Sequence, residues 1–250
     1  MEPILEQAQR ELSRIAAQNA LLQDHIRVVA GPLSPMQAIG NPSRQDFPLL
    51  AGKEVIVEAE FRGGYGQAFT SKPRLYEGSL KDVLELPLSD AGNRAILLST
   101  LNAVTSHLGM AERVRHCRDQ EPEKCASEIA RDLLNRFGKI NIGLIGYQPA
   151  ILENLATTFG AEHINGTDLN PTNIGQKRYG VEIWDGDKDT ARLIEWSDLL
   201  LVTSSTLSNG TFDYIYEEIK SKEKQLIIFG ITGAGVCALL NLERLCFYGH

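Results

Sequence analysis

The chain has 250 residues, 25 Lys and Arg against 32 Asp and Glu, and a net charge of −7. That length fits one large domain or two small ones, and a 43% hydrophobic content is enough for a packed core, which excludes an intrinsically disordered chain. The acidic balance excludes the basic stripe of a nucleic-acid protein, and no run of about 18 apolar residues is present to span a membrane.

The N-terminus, Met1-Glu2-Pro3-Ile4-Leu5-Glu6, is acidic and then amphipathic, unlike a signal peptide. Leu5, Ala8, Leu12, Ile15 and Ala16 recur at steps of three and four, which predicts a helix over 4–22. His25 to Ala30 alternates as a short strand and stops at Gly31-Pro32. Residues 31–50 hold four of the ten prolines and read as loop. Val55 to Phe61 is a strand candidate. Gly63-Gly64-Tyr65-Gly66 after it is either a hairpin turn or a lid. A stripe of Ala95, Leu98, Leu101, Val104 and Leu108 predicts a helix over 89–108. Pro122 opens another, which Gly138 closes.

From residue 139 the pattern changes. Ile140 to Gly146, Leu199 to Val202 and Gln225 to Gly230 are short, nearly continuous apolar runs. His163 to Asp168 is a weaker strand, and Pro149–Phe159 and Phe212–Lys220 read as helices. Buried strands alternating with helices predict a parallel sheet covered on both faces. The fold class is therefore α/β: a Rossmann-like C-terminal unit with a parallel sheet, preceded by a smaller α+β unit. The expected divisions are 1–110, a connecting helical segment 111–138, and 139–250.

In an open α/β sheet, ligands bind beyond the carboxyl ends of the strands. Gly143-x-x-Gly146-Tyr147-Gln148-Pro149 follows the first such strand and allows close backbone approach, or is a plain strand-to-helix turn. Asp168 lies 22 residues beyond Gly146, the interval at which an acidic residue holds ribose hydroxyls. It could equally bind a metal, or cap the turn Leu169-Asn170-Pro171. Thr203 to Thr211 then offers six hydroxyls and the Asn209 amide directly after an apolar strand. A helix cap needs one such residue, so this stretch reads as a binding loop. Gly230-Ile231-Thr232-Gly233 places another close-approach backbone at the same edge. Asn102, on an apolar helix, must bond a neighbouring backbone or point into a site. His116-Cys117, Cys125, Cys237 and Cys246 with His250 could supply soft metal ligands, but lack C-x-x-C spacing. Cys125 lies on an apolar stripe and reads as core, whereas Cys246 and His250 read as surface. Four cysteines do not make a disulfide scaffold and predict a reducing, cytoplasmic setting. No G-x-S-x-G nucleophile elbow is present.

The ordered strings Gly143-Leu144-Ile145-Gly146-Tyr147-x-Pro149, Asp168-Leu169-Asn170-Pro171, Asp198 to Thr203 and Ser205-Thr206-Leu207-x-Asn209-Gly210-Thr211 resemble the heavy-metal chelation domain family, once a domain of unknown function. Gly64-Tyr65-Gly66 and Ala95-Ile96-x-x-Ser99-x-Leu101-Asn102-Ala103 resemble that family's N-terminal partner domain. The resemblance implies an enolase-N-terminal-like domain before the Rossmann-like one, with a ligand site between them. By motif, Asn102, Gly146, Tyr147, Asp168, Asn170, Thr206, Asn209 and Thr211 would face it, with Thr203 and Thr232 beside them. The implied ligand is a heavy metal or a metal chelate, its identity and any reaction left open. The chain departs from the family in lacking a proline after Gly230, in placing Asp168 two residues before Asn170, and in ending soon after Tyr248-Gly249-His250, which predicts a trimmed site. Hard oxygen donors hold soft metals poorly, so a chelate or a thiol contribution is expected. Two alternatives remain: a nucleotide- or S-adenosylmethionine-type enzyme, and a non-catalytic sensor of a small anion. A homodimer is compatible with this size.

Overall fold

The computed structural model describes residues 2–29, 33–50 and 55–250. The first helix, α1 (Ile4–Gln18), buries Ile4, Leu5, Ala8, Leu12 and Ala16. It ends earlier than its apolar spacing predicts, because Ala20 takes φ +56° and Leu21 N–H returns to Ala16 O at 2.8 Å. Strand β1 (His25–Val29) turns Ile26 and Val28 inward, as alternation predicts; its expected stop at Gly31-Pro32 lies outside the described residues. Within the proline-rich stretch a short helix forms, α2 (Pro35–Ile39), because Ser34 and Gln37 make a reciprocal capping box.

Strands β2 (Val55–Phe61) and β3 (Gly64–Thr70) form a hairpin in which Phe61 pairs with Gly64. The turn is therefore Arg62-Gly63, both at positive φ, and Gly64 to Gly66 belong to β3. Strand β4 (Tyr76–Ser79) and helix α3 (Leu80–Leu84) follow. The antiparallel sheet runs in the order β3-β2-β1-β4.

Helix α4 (Ala91–His107) starts where Asp90 accepts from the N–H groups of Gly92 and Asn93. It is buried on nearly every side, beyond the predicted stripe: Ser99, Thr100, Asn102 and Thr105 are inside too. A helix so placed lies between two layers. One layer is the β2–β3 hairpin. Gly66 of β3 makes that approach possible, since a Cβ there would fall on the Ala103 backbone nitrogen and 2.5 Å from Ser99 O.

Helix α5 (Glu121–Phe137) packs on α6 (Pro149–Phe159), which follows strand β5 (Ile142–Ile145). Then come β6 (Ile164–Asp168), β7 (Lys177–Arg178), β8 (Val181–Asp185), α7 (Thr190–Trp196) and β9 (Leu199–Thr203). The chain closes with α8 (Ser205–Asn209), α9 (Phe212–Ser221), β10 (Gln225–Phe229), α10 (Ala234–Leu240) and β11 (Arg244–Leu245). Helices α8 and α10 also pack on α4, and α8 touches β3 as well.

The second sheet has the order β11-β10-β9-β5-β6-β8-β7 and is parallel except for β7. Along β9, Leu200 and Val202 join one apolar cluster while Leu199 and Leu201 join the other. Successive strand residues face opposite sides, so a strand buried on both faces must be apolar throughout. Counting only the parallel strands in chain order, the sheet reads third, second, first, fourth, fifth, sixth. That is the order of a doubly wound nucleotide fold, and its direction reverses between β5 and β9.

Candidate functional site

The crevice between the exits of β5 and β9 opens into a cavity of about 600 Å³. At its floor Gly146 takes φ +91° and its N–H bonds Thr167 O at 3.0 Å. A Cβ at Gly146 would strike the Thr203 side chain, so glycine lets the two strand exits close on each other. Helix α6 begins just beyond, where Gln148 Oε1 accepts from Ile151 N–H at 2.6 Å.

Nine expected residues line this cavity: Gly146, Tyr147, Asp168, Asn170, Thr203, Thr206, Asn209, Thr211 and Thr232. Asn102 does not. Its fully buried amide donates to the carbonyls of Gln67 (2.7 Å), Ile231 (3.0 Å) and Thr232 (3.2 Å), and accepts from Gly235 N–H (2.7 Å). It ties β3, the turn after β10 and the start of α10 to α4.

Several lining groups are already committed to the backbone. Asp168 accepts from Asn170 N–H at 3.0 Å and from Asn173 Nδ2 at 2.6 Å, so it holds the turn that precedes Pro171. The 203–211 stretch is partly the helix α8. Thr206 Oγ1 donates to Thr203 O (2.6 Å), Ser208 Oγ to Ser205 O (3.2 Å), and Asn209 Oδ1 accepts from both N–H and Oγ1 of Thr211. Thr232 Oγ1 accepts from Phe69 N–H at 3.0 Å, linking the two sheets. Thr167 is the exception. It sits at the exit of β6, 1% exposed, and its hydroxyl has no hydrogen-bond partner among the described residues. Tyr147 keeps its proton, because burial, with the Asp46 carboxylate adding to it, pushes it up to about 12.

Much of the remaining lining is apolar and sulfur-rich: Phe47, Leu49, Phe69, Ile129, Cys117, Cys125 and Cys246. Reading the residues alone missed this gathering. Cys125 was expected in the core and is buried; Cys246, expected at the surface, is only 8% exposed. His250 is exposed as expected and pairs with Glu121. The neighbouring Cys246 and burial raise the Cys125 thiol above the ordinary value, while the neighbouring Cys125 and the Arg244 guanidinium lower Cys246. Burial pushes His116, in the same lining, down to about 4, so its ring is neutral at pH 7. Nothing in local periodicity announces three thiols, 129 residues apart at their extremes (Cys117 to Cys246), on one cavity. Only the return of β11 beside β10 brings Cys246 there.

No group of three or more His, Cys, Asp or Glu among the described residues is placed to hold a metal ion. No helix among them is long and apolar enough to cross a membrane.

The strand order, with helices on both faces, defines the class: a Rossmann-like α/β fold preceded by an antiparallel α+β unit. Residues 130–240 match the model of the DUF364 family, described as "Putative heavy-metal chelation". A DUF364-family protein of unknown function from Pyrococcus horikoshii has the same fold, with a TM-score of 0.56 and 17% identity over 93% of this chain and 80% of that one. A second protein of unknown function from that family, from Desulfitobacterium hafniense, aligns at a TM-score of 0.48 and 12% identity over 74% of this chain and 72% of that one. No curated protein matches the chain.

Proposed function

We propose that the chain binds a soft metal ion, or a small organic complex of one, in the cavity at the β5/β9 crevice. The observation that carries this reading is the unpartnered Thr167 hydroxyl on the wall of that cavity. A buried hydroxyl without a partner costs about 1–3 kcal/mol, and a ligand that bonds it recovers that cost. The family description supports a metal as part of the ligand. The donor chemistry limits how. The loop hydroxyls are largely spent on one another and on neighbouring backbone and side-chain oxygens, and oxygen donors suit hard cations in any case. A soft metal is therefore held through sulfur, or arrives with its own chelator, which the polar wall orients. The binding role needs no nucleophile or acid–base pair.

Native mass spectrometry of protein purified without oxygen tests this. We expect a retained metal or metal chelate in the wild type. Thr167→Val removes the hydroxyl and nearly keeps the shape. Its apo form is expected to melt about 2–4 °C higher, since about 1 kcal/mol of burial cost disappears. Its retained adduct should fall. An apo protein that melts lower, with the adduct intact, would make Thr167 a structural residue and remove the basis for the reading.

A further inference from the structure

We propose that Cys125 and Cys246 form a two-thiolate site for a soft d10 cation of the copper(I) class, reached from the cavity. This rests on the reading above and deepens it, by assigning the metal to the sulfur wall and leaving the polar wall to any organic part of the ligand.

Four observations converge on the pair. Both side chains are buried, yet both line the cavity instead of filling the core away from it. The two side chains lie close enough to act on one another directly. Phe247 N–H donates to Cys125 Sγ at 3.4 Å, an arrangement that favours negative charge on sulfur. Finally, the positive charge of Arg244 acts on Cys246, while its guanidinium is held in place by Gly230 O (3.1 Å) and Glu112 O (2.7 Å).

Besides tying these backbone segments together, Arg244 sets a positive charge near a buried thiol. That charge suits a bis-thiolate complex of a monovalent cation, which carries one net negative charge. When Cu+ binds, two metal–sulfur bonds form and the protons of the two thiols leave to solvent; no electron moves. Soft thiolate ligands select such ions. Copper(I) accepts two sulfur ligands, whereas a structural zinc needs four protein ligands, and no group of even three is placed among the described residues. Cys117 lines the same cavity and keeps the surroundings sulfur-rich. Cys237 does not line it, and burial pushes its thiol up to about 12, which makes it an internal control.

The test is a titration with Cu+ under nitrogen against a colorimetric copper(I) chelator. Wild type and Cys237→Ser are expected to take up one equivalent with equal affinity. Cys125→Ser and Cys246→Ser should each weaken binding by about 100-fold or more. X-ray absorption at the copper edge of the wild type should show two sulfur neighbours, a readout that does not depend on how the variants fold. Equal affinity in both serine variants, or a copper shell of only nitrogen and oxygen, would overturn the proposal. The two readings fail separately. An adduct purified with the protein that survives in the serine variants but is lost in Thr167→Val would overturn the thiol site and keep the cavity reading. Copper uptake lost in the serine variants, with no adduct on the purified wild type, would keep the thiol site and remove the organic part of the ligand.

Discussion

Replacing Asn102 by alanine is expected to destabilise the apo protein by about 3–5 kcal/mol and to lower its melting temperature by roughly 10 °C. The amide is fully buried, and its four hydrogen bonds all go to backbone groups of other segments. Truncation leaves Gln67 O, the Ile231–Thr232 carbonyls and Gly235 N–H unpaired in a place water reaches poorly. Each such group costs about 1–3 kcal/mol, and partial relaxation keeps the sum below the maximum. Asn102→Asp should be worse than alanine, because it sets carboxylate oxygens against three carbonyls. Melting curves of the unliganded variants decide the matter. An Asn102→Ala protein that melts with the wild type but no longer binds ligand would return Asn102 to the site and contradict the role assigned here.

Gly66→Val carries the second large effect, about 3 kcal/mol or more. The added Cβ meets backbone, the Ala103 nitrogen and Ser99 O of α4, and cannot be accommodated by swinging a side chain aside. Helix α4 is also packed against α8 and α10, which restrict how far it can shift. The β2–β3 hairpin must therefore separate from the helix, and the apolar contacts between them thin out. Urea unfolding should show a lower midpoint with an unchanged slope, the mark of lost stability in an intact fold. A midpoint within about 0.2 M of the wild type would mean that the close approach of β3 to α4 is absent in solution.

The parallel sheet was legible because of what burial demands. Strands β5, β9 and β10 are enclosed, and their sequences are correspondingly unbroken apolar runs. Strand β8 carries no clear signal: its Val181-Glu182-Ile183-Trp184-Asp185 sequence is broken by the polar Glu182 and Asp185, and its neighbour β7 is an exposed edge. Strand β11 is two residues long and carries no periodic signal. Helix α8 was hidden inside what reads as a polar loop, since its hydroxyls point back to its own carbonyls.

The site divides in the same way. Residues that follow strands could be placed, because the carboxyl edge of a parallel sheet is a fixed address. Asn102 was flagged as a buried amide, but sequence does not say whether its partners are backbone or ligand. Thr167 escaped notice, being one hydroxyl inside β6, next to the more conspicuous Asp168. The thiol wall escaped for a topological reason: Cys125 belongs to α5 and Cys246 follows β11, and they meet only when the sheet is complete.

Anomalous diffraction from crystals of the protein purified without oxygen tests the central claim most directly. The account predicts a metal peak inside the cavity, adjoining the sulfurs of Cys125 and Cys246, with any further density reaching toward Thr167 and Thr203. A metal peak elsewhere on the chain, with only water in the cavity, would contradict it.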